Sequence, residues 1–319
     1  MTKRLFSIGE ALIDFIPEAR SLPLKDVDGF KKKAGGAPAN VCAAAARQGV
    51  HAAFIGKVGQ DAFGDFLVET MASVGIDVSH VFRTKQANTT LAFVSLKEDG
   101  ERDFSFYRNP GADMLLEPSE IDGAWFQSGD FLHFGTVDLI DAPVKRAHIK
   151  TIEYVKQKKG TIIFDPNLRF ALWADKGALK RTVWEFMPQA DILKVSDDEL
   201  FFIFDTDDVN AAAEQAFNAG VSVFLYTMGG NGSRLITRTI DITNKAFAVK
   251  VVDATGAGDA FIGAFAAKLI LEDIDLHEIE VRTAKSLLCH ANACGAVVAS
   301  RFGAIESMPT MAEALEIAK

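Results

Sequence analysis

The sequence has few cysteines, no excess of positive charge, no apolar run of membrane length and no low-complexity tract. Its 3 cysteines, Cys42, Cys289 and Cys294, are an odd number in apolar surroundings, with no CxxC or Cys/His spacing. This argues against a disulfide framework or a zinc ribbon, and the expectation is free buried thiols in a reducing cytoplasm. A formal net charge of −9 argues against a nucleic-acid surface, which needs clustered Lys and Arg. The one basic run, "FKKKAGG" (30–36), reads as a solvated strand or loop edge. Without a stretch near the ~20 apolar residues of a membrane helix, no membrane partner is expected. "MTKRLFSIGEALIDFIP" reads as a first strand, not a secretory signal, because Glu10 and Asp14 interrupt its apolar part.

What remains is a chain of 319 residues, 49% apolar and 24% charged, suited to one large α/β domain with at most a small appendage. Short apolar runs such as "AAFIGKVG" (52–59), "DFLHFGTV" (130–137), "GTIIFDPN" (160–167), "ADILKVS" (190–196) and "VSVFLYTMG" (221–229) read as buried parallel strands. Helical stretches at 40–50, 61–75, 143–160 and 211–221 alternate with them, and Gly49, Gly75, Gly160 and Gly220 fall where C-terminal caps belong. "TTLAFVSLKEDGERDFSFYRN" (89–109) breaks the alternation as a hairpin around Glu-Asp-Gly. With 12–24 and 29–36 it predicts a small antiparallel sheet, either a lid over a site or a plain sheet extension.

"VVDATGAGDAF" (251–261) carries the strongest chemistry. "FAVKVV" (247–252) reads as a strand before it, and 260–272 as a helix with small residues at Gly263, Ala264 and Ala267. Gly256, Ala257 and Gly258 then lie at a helix N-terminus, where unpaired amides attract anions. The stretch lacks the GK[ST] of a Walker A loop and the placement of a dinucleotide fingerprint. Asp259 is either a helix cap or a base that takes a proton from a hydroxyl attacking a bound phosphoryl group. Asn40, in "GGAPANVCAAAARQG", either caps its Ala-rich helix or faces a ligand. Asp14, Asn40 and Asp259 together suit a neutral polyol, and Arg108 and Arg169 add charged donors. "TMGGNGS" (227–233) is either a nucleotide contact or a Gly-rich hairpin. "KVSDDEL" (194–200) either positions magnesium through water or is the acidic first turn of a helix.

Taken together and in this order, these stretches resemble the PfkB-type, ribokinase-like carbohydrate kinases, and within them the fructokinase branch. The resemblance covers nearly the whole chain, through "GGAPANVCAAAARQG", "FIGKVGQDAFGDFL", "LAFVSLKEDGERDFSFYRNPGADMLL", "DPNLRFALW", "KVSDDEL", "DATGAGDAF" and "HANACGA". It implies a Rossmann-type three-layer α/β fold with a mainly parallel central sheet and a small β-sheet lid. The chain would be a single kinase domain over 1–319, with lid strands inserted at about 12–36 and 87–110. The implied reaction moves the ATP γ-phosphoryl to the 6-hydroxyl of D-fructose, in a cytoplasmic homodimer joined through its lids.

Carried over residue by residue, Asp259 is the general base, and Gly256, Ala257 and Gly258 form the anion hole. By the resemblance Asp14, Gly35, Gly36 and Asn40 would bind the sugar, with Arg108 from the lid side, and Arg169 is added as a sugar-binding candidate for its charged donors. Thr227, Gly229 and Gly232 line the nucleotide site, with Asn292 near the adenine. The resemblance also implies that Glu199 would act on magnesium through water. Asp253, Thr255, Val298, Arg301, Gly303 and Ser307 mark the positions of a potassium site. Three positions depart from the common pattern: Ala254 stands for Thr, Ser196 for the Asn of many relatives, and Glu306 for a frequent Pro. A 2-keto-3-deoxygluconate kinase is the rival reading, since Arg108 and Arg169 would suit a sugar carboxylate. Phe106 stands where such kinases tend to carry Tyr.

Overall fold

The computed structural model describes residues 2–18, 22–96 and 102–319, and the expected Glu-Asp-Gly turn lies outside them. The first apolar stretch is two strands, not one. β1 (Leu5–Ile8) is buried throughout, whereas β2 (Leu12–Pro17) is half-buried at residues 14–16. Burial on both faces sends β1 into the middle of the large sheet, and β2 joins the small one.

The chain continues through β3 (Phe30–Gly35), α1 (Ala37–Arg47), β4 (Ala52–Gly59), α2 (Ala62–Ser73) and β5 (Val81–Thr84). The hairpin strands β6 (Leu91–Leu96) and β7 (Arg102–Tyr107) follow, then β8 (Phe131–Phe134), α3 (Pro143–Gln157) and β9 (Thr161–Phe164). Next come α4 (Lys176–Phe186), β10 (Ile192–Ser196), α5 (Asp197–Phe204), α6 (Val209–Ala219) and β11 (Val223–Thr227). β12 (Ser233–Ile236), β13 (Asp241–Asn244), α7 (Ala257–Leu271), α8 (Val281–Ala299) and α9 (Met311–Ile317) complete it.

The large sheet has the order β13-β12-β11-β10-β9-β8-β1-β4-β5. It is parallel from β11 to β5, and β12 and β13 run antiparallel at one edge. Strand alternation divides the core in two. Leu5, Phe54, Val223 and Leu225 face α1, α2, α7 and α8, while Phe6, Ile55, Phe224 and Tyr226 face α3, α4 and α6. Helices thus cover both faces of a mainly parallel sheet, the three-layer α/β arrangement that the alternating sequence pattern predicts.

The small sheet has the order β3-β2-β6-β7. It is not wholly antiparallel: β2 and β6 pair in parallel. Each of its two strand pairs runs out from the main domain and back, and the two outward strands are neighbours. Two other expectations fail locally. Gly49, Gly75 and Gly220 take positive φ at helix ends, but after α3 the left-handed residue is Lys159 (φ 54). Gly160 instead allows close approach, since a Cβ there would lie 2.4 Å from the Asp130 carbonyl. Residues 247–252 form no strand. They cross the mouths of two clefts, and several of their side chains line those walls instead of joining a ladder.

Candidate active site

Ligand sites of open α/β sheets lie beyond the carboxyl ends of the parallel strands, and both clefts are there. The first, about 760 Å³, is lined by polar side chains that include Glu10, Asp14, Asn40, Asn167, Arg169 and Asp259. The second, about 560 Å³, is walled by Thr227, Gly229, Gly230, Gly232 and the 246–249 segment, with Asn292 and Gly295 of α8. They meet at Lys194, Asp198, Val251, Ala254 and Gly258.

Two helices hold this junction. α1 and α7 pack so closely that a Cβ on Gly263 would lie 2.6 Å from the Val41 carbonyl, as the small-residue faces of both helices foretell. Their first turns are therefore fixed against each other. Asn40 is one turn inside α1, not its cap, and its Nδ2 donates to Asp259 Oδ2 at 2.8 Å. Asn167, with φ 46, donates more weakly to Oδ1 at 3.5 Å. Asp259 lies in the first turn of α7 and is not its cap, a place taken by Gly256 in the left-handed region (φ 81). Burial pushes the Asp259 carboxyl above the usual range, against the Asn40 hydrogen bond and the charges of Arg169 and Lys194. A buried, raised carboxylate aimed into a cleft is suited to accept a proton.

The turn of the expected anion hole is fixed from the C-terminal side. A Cβ on Gly256 would come 3.0 Å from the Ala304 side chain. Asp253 Oδ1 accepts from the Thr255 amide at 2.9 Å, and Oδ2 from the Gly303 amide at 3.5 Å. Of the three residues expected to form an anion hole, Ala257 already donates its amide to the Ala254 carbonyl at 3.2 Å. Arg301 donates to the Ser307 carbonyl at 3.4 Å and pairs with Glu313, while the Val298 carbonyl accepts from the Arg301 amide at 2.9 Å. The expected cation positions thus share one loop packed on 253–256. Glu306 pairs with Lys33 of β3, so one lysine of the basic run ties this loop to the small sheet.

The other expected residues divide. Asp14 and Gly36 line the first cleft, and a Cβ on Gly35 would lie 2.1 Å from Asp14 Oδ2. Arg169 lines it too. Arg108 does not: its guanidinium is buried between Asp113 and Asp138, one layer behind Glu10 and Val137. Thr227, Gly229, Gly232 and Asn292 line the second cleft, in a Gly-rich turn that is also the β11–β12 hairpin. The Asn292 side chain is held by Ser233 at 2.8 Å and by the carbonyls of Asn244 and Lys245. Glu199 faces neither cleft. Its Oε1 accepts from the Leu168 amide at 2.7 Å and its Oε2 from the amide and hydroxyl of Ser196 at 2.9 Å. This capping box starts α5 and anchors the loop that carries Asn167 and Arg169. Asp198 is the carboxylate of this run that reaches both clefts.

Sequence reasoning passed over Glu10, Asn167 and Lys194. Glu10 accepts from the Ala37 amide at 3.1 Å, and burial pushes its carboxyl up to about 7 against that bond and the Arg108 charge. Lys194 pairs with Asp165 at 3.0 Å. Burial alone would favour its neutral amine, but Asp165, Glu199 and Asp259 outweigh that and raise its pKa. A lysine inside the apolar run "ADILKVS" was the available signal, the same signal that singled out Asp14.

The family model described as pfkB family carbohydrate kinase matches residues 2–311. The chain belongs to that family. This kinase is 40% identical to a probable fructokinase-4 of Arabidopsis thaliana over 316 residues, 99% of this chain and 96% of the relative. A fructokinase of Xylella fastidiosa, solved with bound ATP, superposes with a TM-score of 0.90 at 33% identity, covering 99% of this chain and 98% of that one. A fructokinase double mutant of Vibrio cholerae O395, solved with fructose, ADP and a potassium ion, gives 0.90 at 32%, covering 100% and 99%. The large sheet with its separate small sheet is the ribokinase-like fold of these structures.

Proposed function

We propose that the chain is an ATP-dependent fructokinase that phosphorylates the 6-hydroxyl of D-fructose, giving fructose 6-phosphate and ADP. The observation that carries this is the meeting of two unlike clefts beside a buried carboxylate. Asp14, Asn40 and Asn167 offer acceptors and amide groups to a polyol, and the glycine-walled side suits a nucleotide. Asp259 takes the hydroxyl proton as the sugar oxygen attacks the γ-phosphorus, and ADP leaves with the bridging oxygen. The first-turn amides of α7 hold the transferring group.

Magnesium fits beside Asp198, a carboxylate shared by both clefts; held there through water and phosphate, it would neutralise phosphate charge. Potassium fits the carbonyls around Asp253 and Thr255 and those of the 298–307 loop, which the Gly303–Asp253 contact brings together. The small sheet would serve as a lid and as the contact between two copies, with Tyr107 (64% exposed) on its surface. Among the described residues no helix is long and apolar enough to cross a membrane, and the three cysteines are free thiols.

The 2-keto-3-deoxygluconate reading rested on two arginines. Arg108 is already bound by two carboxylates, which leaves Arg169 to meet a sugar acid. Phe106 also lines that cleft and has no hydroxyl to offer. ATP consumption measured with fructose, glucose, mannose, ribose, ketodeoxygluconate and adenosine decides the matter. Fructose is expected to give the highest kcat/KM, and potassium a faster rate than a bulky organic cation. A higher kcat/KM on the sugar acid would transfer the assignment to the second reading.

A further inference from the structure

We propose that Lys194 is the cation that meets the phosphoryl group as it crosses between the clefts, and that Asp165 positions it. The inference deepens the fructokinase reading and rests on it. Strand register sets the direction. In β10, Leu193 and Val195 belong to the core under α3, α4 and α6, so Lys194 between them points to the opposite face, toward α7. A Cβ on Gly258 would lie 3.5 Å from Nζ and 3.8 Å from Cε. The ammonium therefore lies against the same first turn of α7 that carries Asp259.

Lys194 is the one cationic side chain among the residues that line both clefts, whereas Arg169 lines the first alone. Its single hydrogen-bond partner among the described residues is Asp165 Oδ1, which leaves two of three ammonium protons for a ligand. Asp165 is 1% exposed, and its second oxygen, Oδ2, is buried without a partner. Desolvating a full ion pair costs several kcal/mol per ion, and well-packed apolar residues often do as well structurally. A pair this buried, ending where the clefts join, has a purpose beyond packing.

During transfer the new bond forms between the sugar oxygen and the γ-phosphorus while the bond to the β–γ bridging oxygen breaks. The hydroxyl proton goes to Asp259, and ADP leaves with the bridge's electron pair. Negative charge is carried by oxygens that face a fixed ammonium, which keeps its own proton throughout. Such a preorganised donor acts without reorganisation at the moment of reaction.

Removing the lysine alone would strand a buried carboxylate, so the test uses the neutral pair Lys194→Met with Asp165→Asn, and Lys194→Arg as the charge-retaining variant. Each is compared with wild type for kcat, for ADP binding, and for binding of an ATP analogue with an imido β–γ bridge. In the neutral pair kcat is expected to fall about 10²-fold. Binding of the triphosphate analogue should weaken about tenfold with ADP within about twofold, a split that a packing role would not produce. Lys194→Arg should keep the triphosphate preference to within about threefold of wild type, corresponding to less than ~1 kcal/mol. The proposal is overturned by a folded neutral pair with near-normal kcat, by equal weakening of both nucleotides, or by an arginine variant as impaired as the neutral pair. Unfolding of the neutral pair, seen by circular dichroism, would mark the pair as structural and overturn it as well. Failure of wild type to phosphorylate fructose would instead bring down the fructokinase reading, and the nucleotide comparison would still report on Lys194.

Discussion

Across Lys194 and Gly258 the two clefts are built from different material. The first cleft, the proposed sugar side, is lined by polar side chains that include Glu10, Asp14, Asn40, Asn167, Arg169 and Asp259. The second cleft, the proposed nucleotide side, has many small residues in its wall, among them Gly229, Gly230, Gly232 and Gly295. A side-chain site depends on charge and hydrogen bonding, whereas a backbone site depends on whether the chain can take an unusual path. Substitutions on the two sides should therefore fail for different reasons.

The sharpest break is expected at Asp259→Asn. The amide keeps the volume but cannot take the proton, so kcat should fall about 10²- to 10⁴-fold. Calorimetry should still show fructose and ADP binding. Near-normal turnover would mean that the sugar side holds its substrate without doing the chemistry.

On the other side the largest effect is expected at Gly232→Ala. Gly232 has φ 101 and ψ −144, a conformation almost confined to glycine, and a Cβ would lie 2.1 Å from the Asn244 carbonyl. The contact is with backbone, so the cost is strain of order 3 kcal/mol, read as a lowered Tm, with ATP affinity reduced as the turn shifts. A variant with unchanged Tm but lost turnover would erase the distinction between the two sides.

A finer test is Asn40→Ala. Asp259 must be ionised to act, and the Asn40 hydrogen bond favours the ionised form. Without it the carboxyl rises further, so the acid limb of the kcat/KM profile should move to higher pH. Below that limb the rate should drop, and well above it the difference should narrow. A limb that stays in place would show that Asn40 serves the sugar and not the base.

This division also explains what the sequence made legible. Asp14, Asn40 and Asp259 stand out because a polar side chain in an apolar element needs a reason, and the structure brings all three to one cleft. Lys194 in "ADILKVS" met the same criterion and escaped because strand lysines also occur at exposed edges. Arg108 could not be resolved from local pattern: its partner Asp138 is 30 residues away and arrives only through the β8 strand end. For Glu199 the local pattern shows the Ser196 cap but not the Leu168 amide, which its Oε1 reaches across 31 residues. The 247–252 run is apolar like a strand, yet it joins no sheet: its side chains line the two clefts, and Val252 gives its amide to the Ala299 carbonyl of α8 at 2.8 Å.

The smallest expected effect distinguishes main-chain geometry from space. Gly229 has φ 50, and a Cβ there meets nothing within 4 Å. Gly229→Ala therefore carries only the left-handed penalty, about 1 kcal/mol, with no collision to relieve. Thermal melting should show a small fall in Tm, and kcat for fructose should stay within about twofold of wild type. Since Gly229 and Gly232 bracket the same 3₁₀ turn, a drop in Tm as large as that of Gly232→Ala would mean the turn tolerates no side chain at all. A small drop would assign the nucleotide wall's constraint to the approach of residues 244–246.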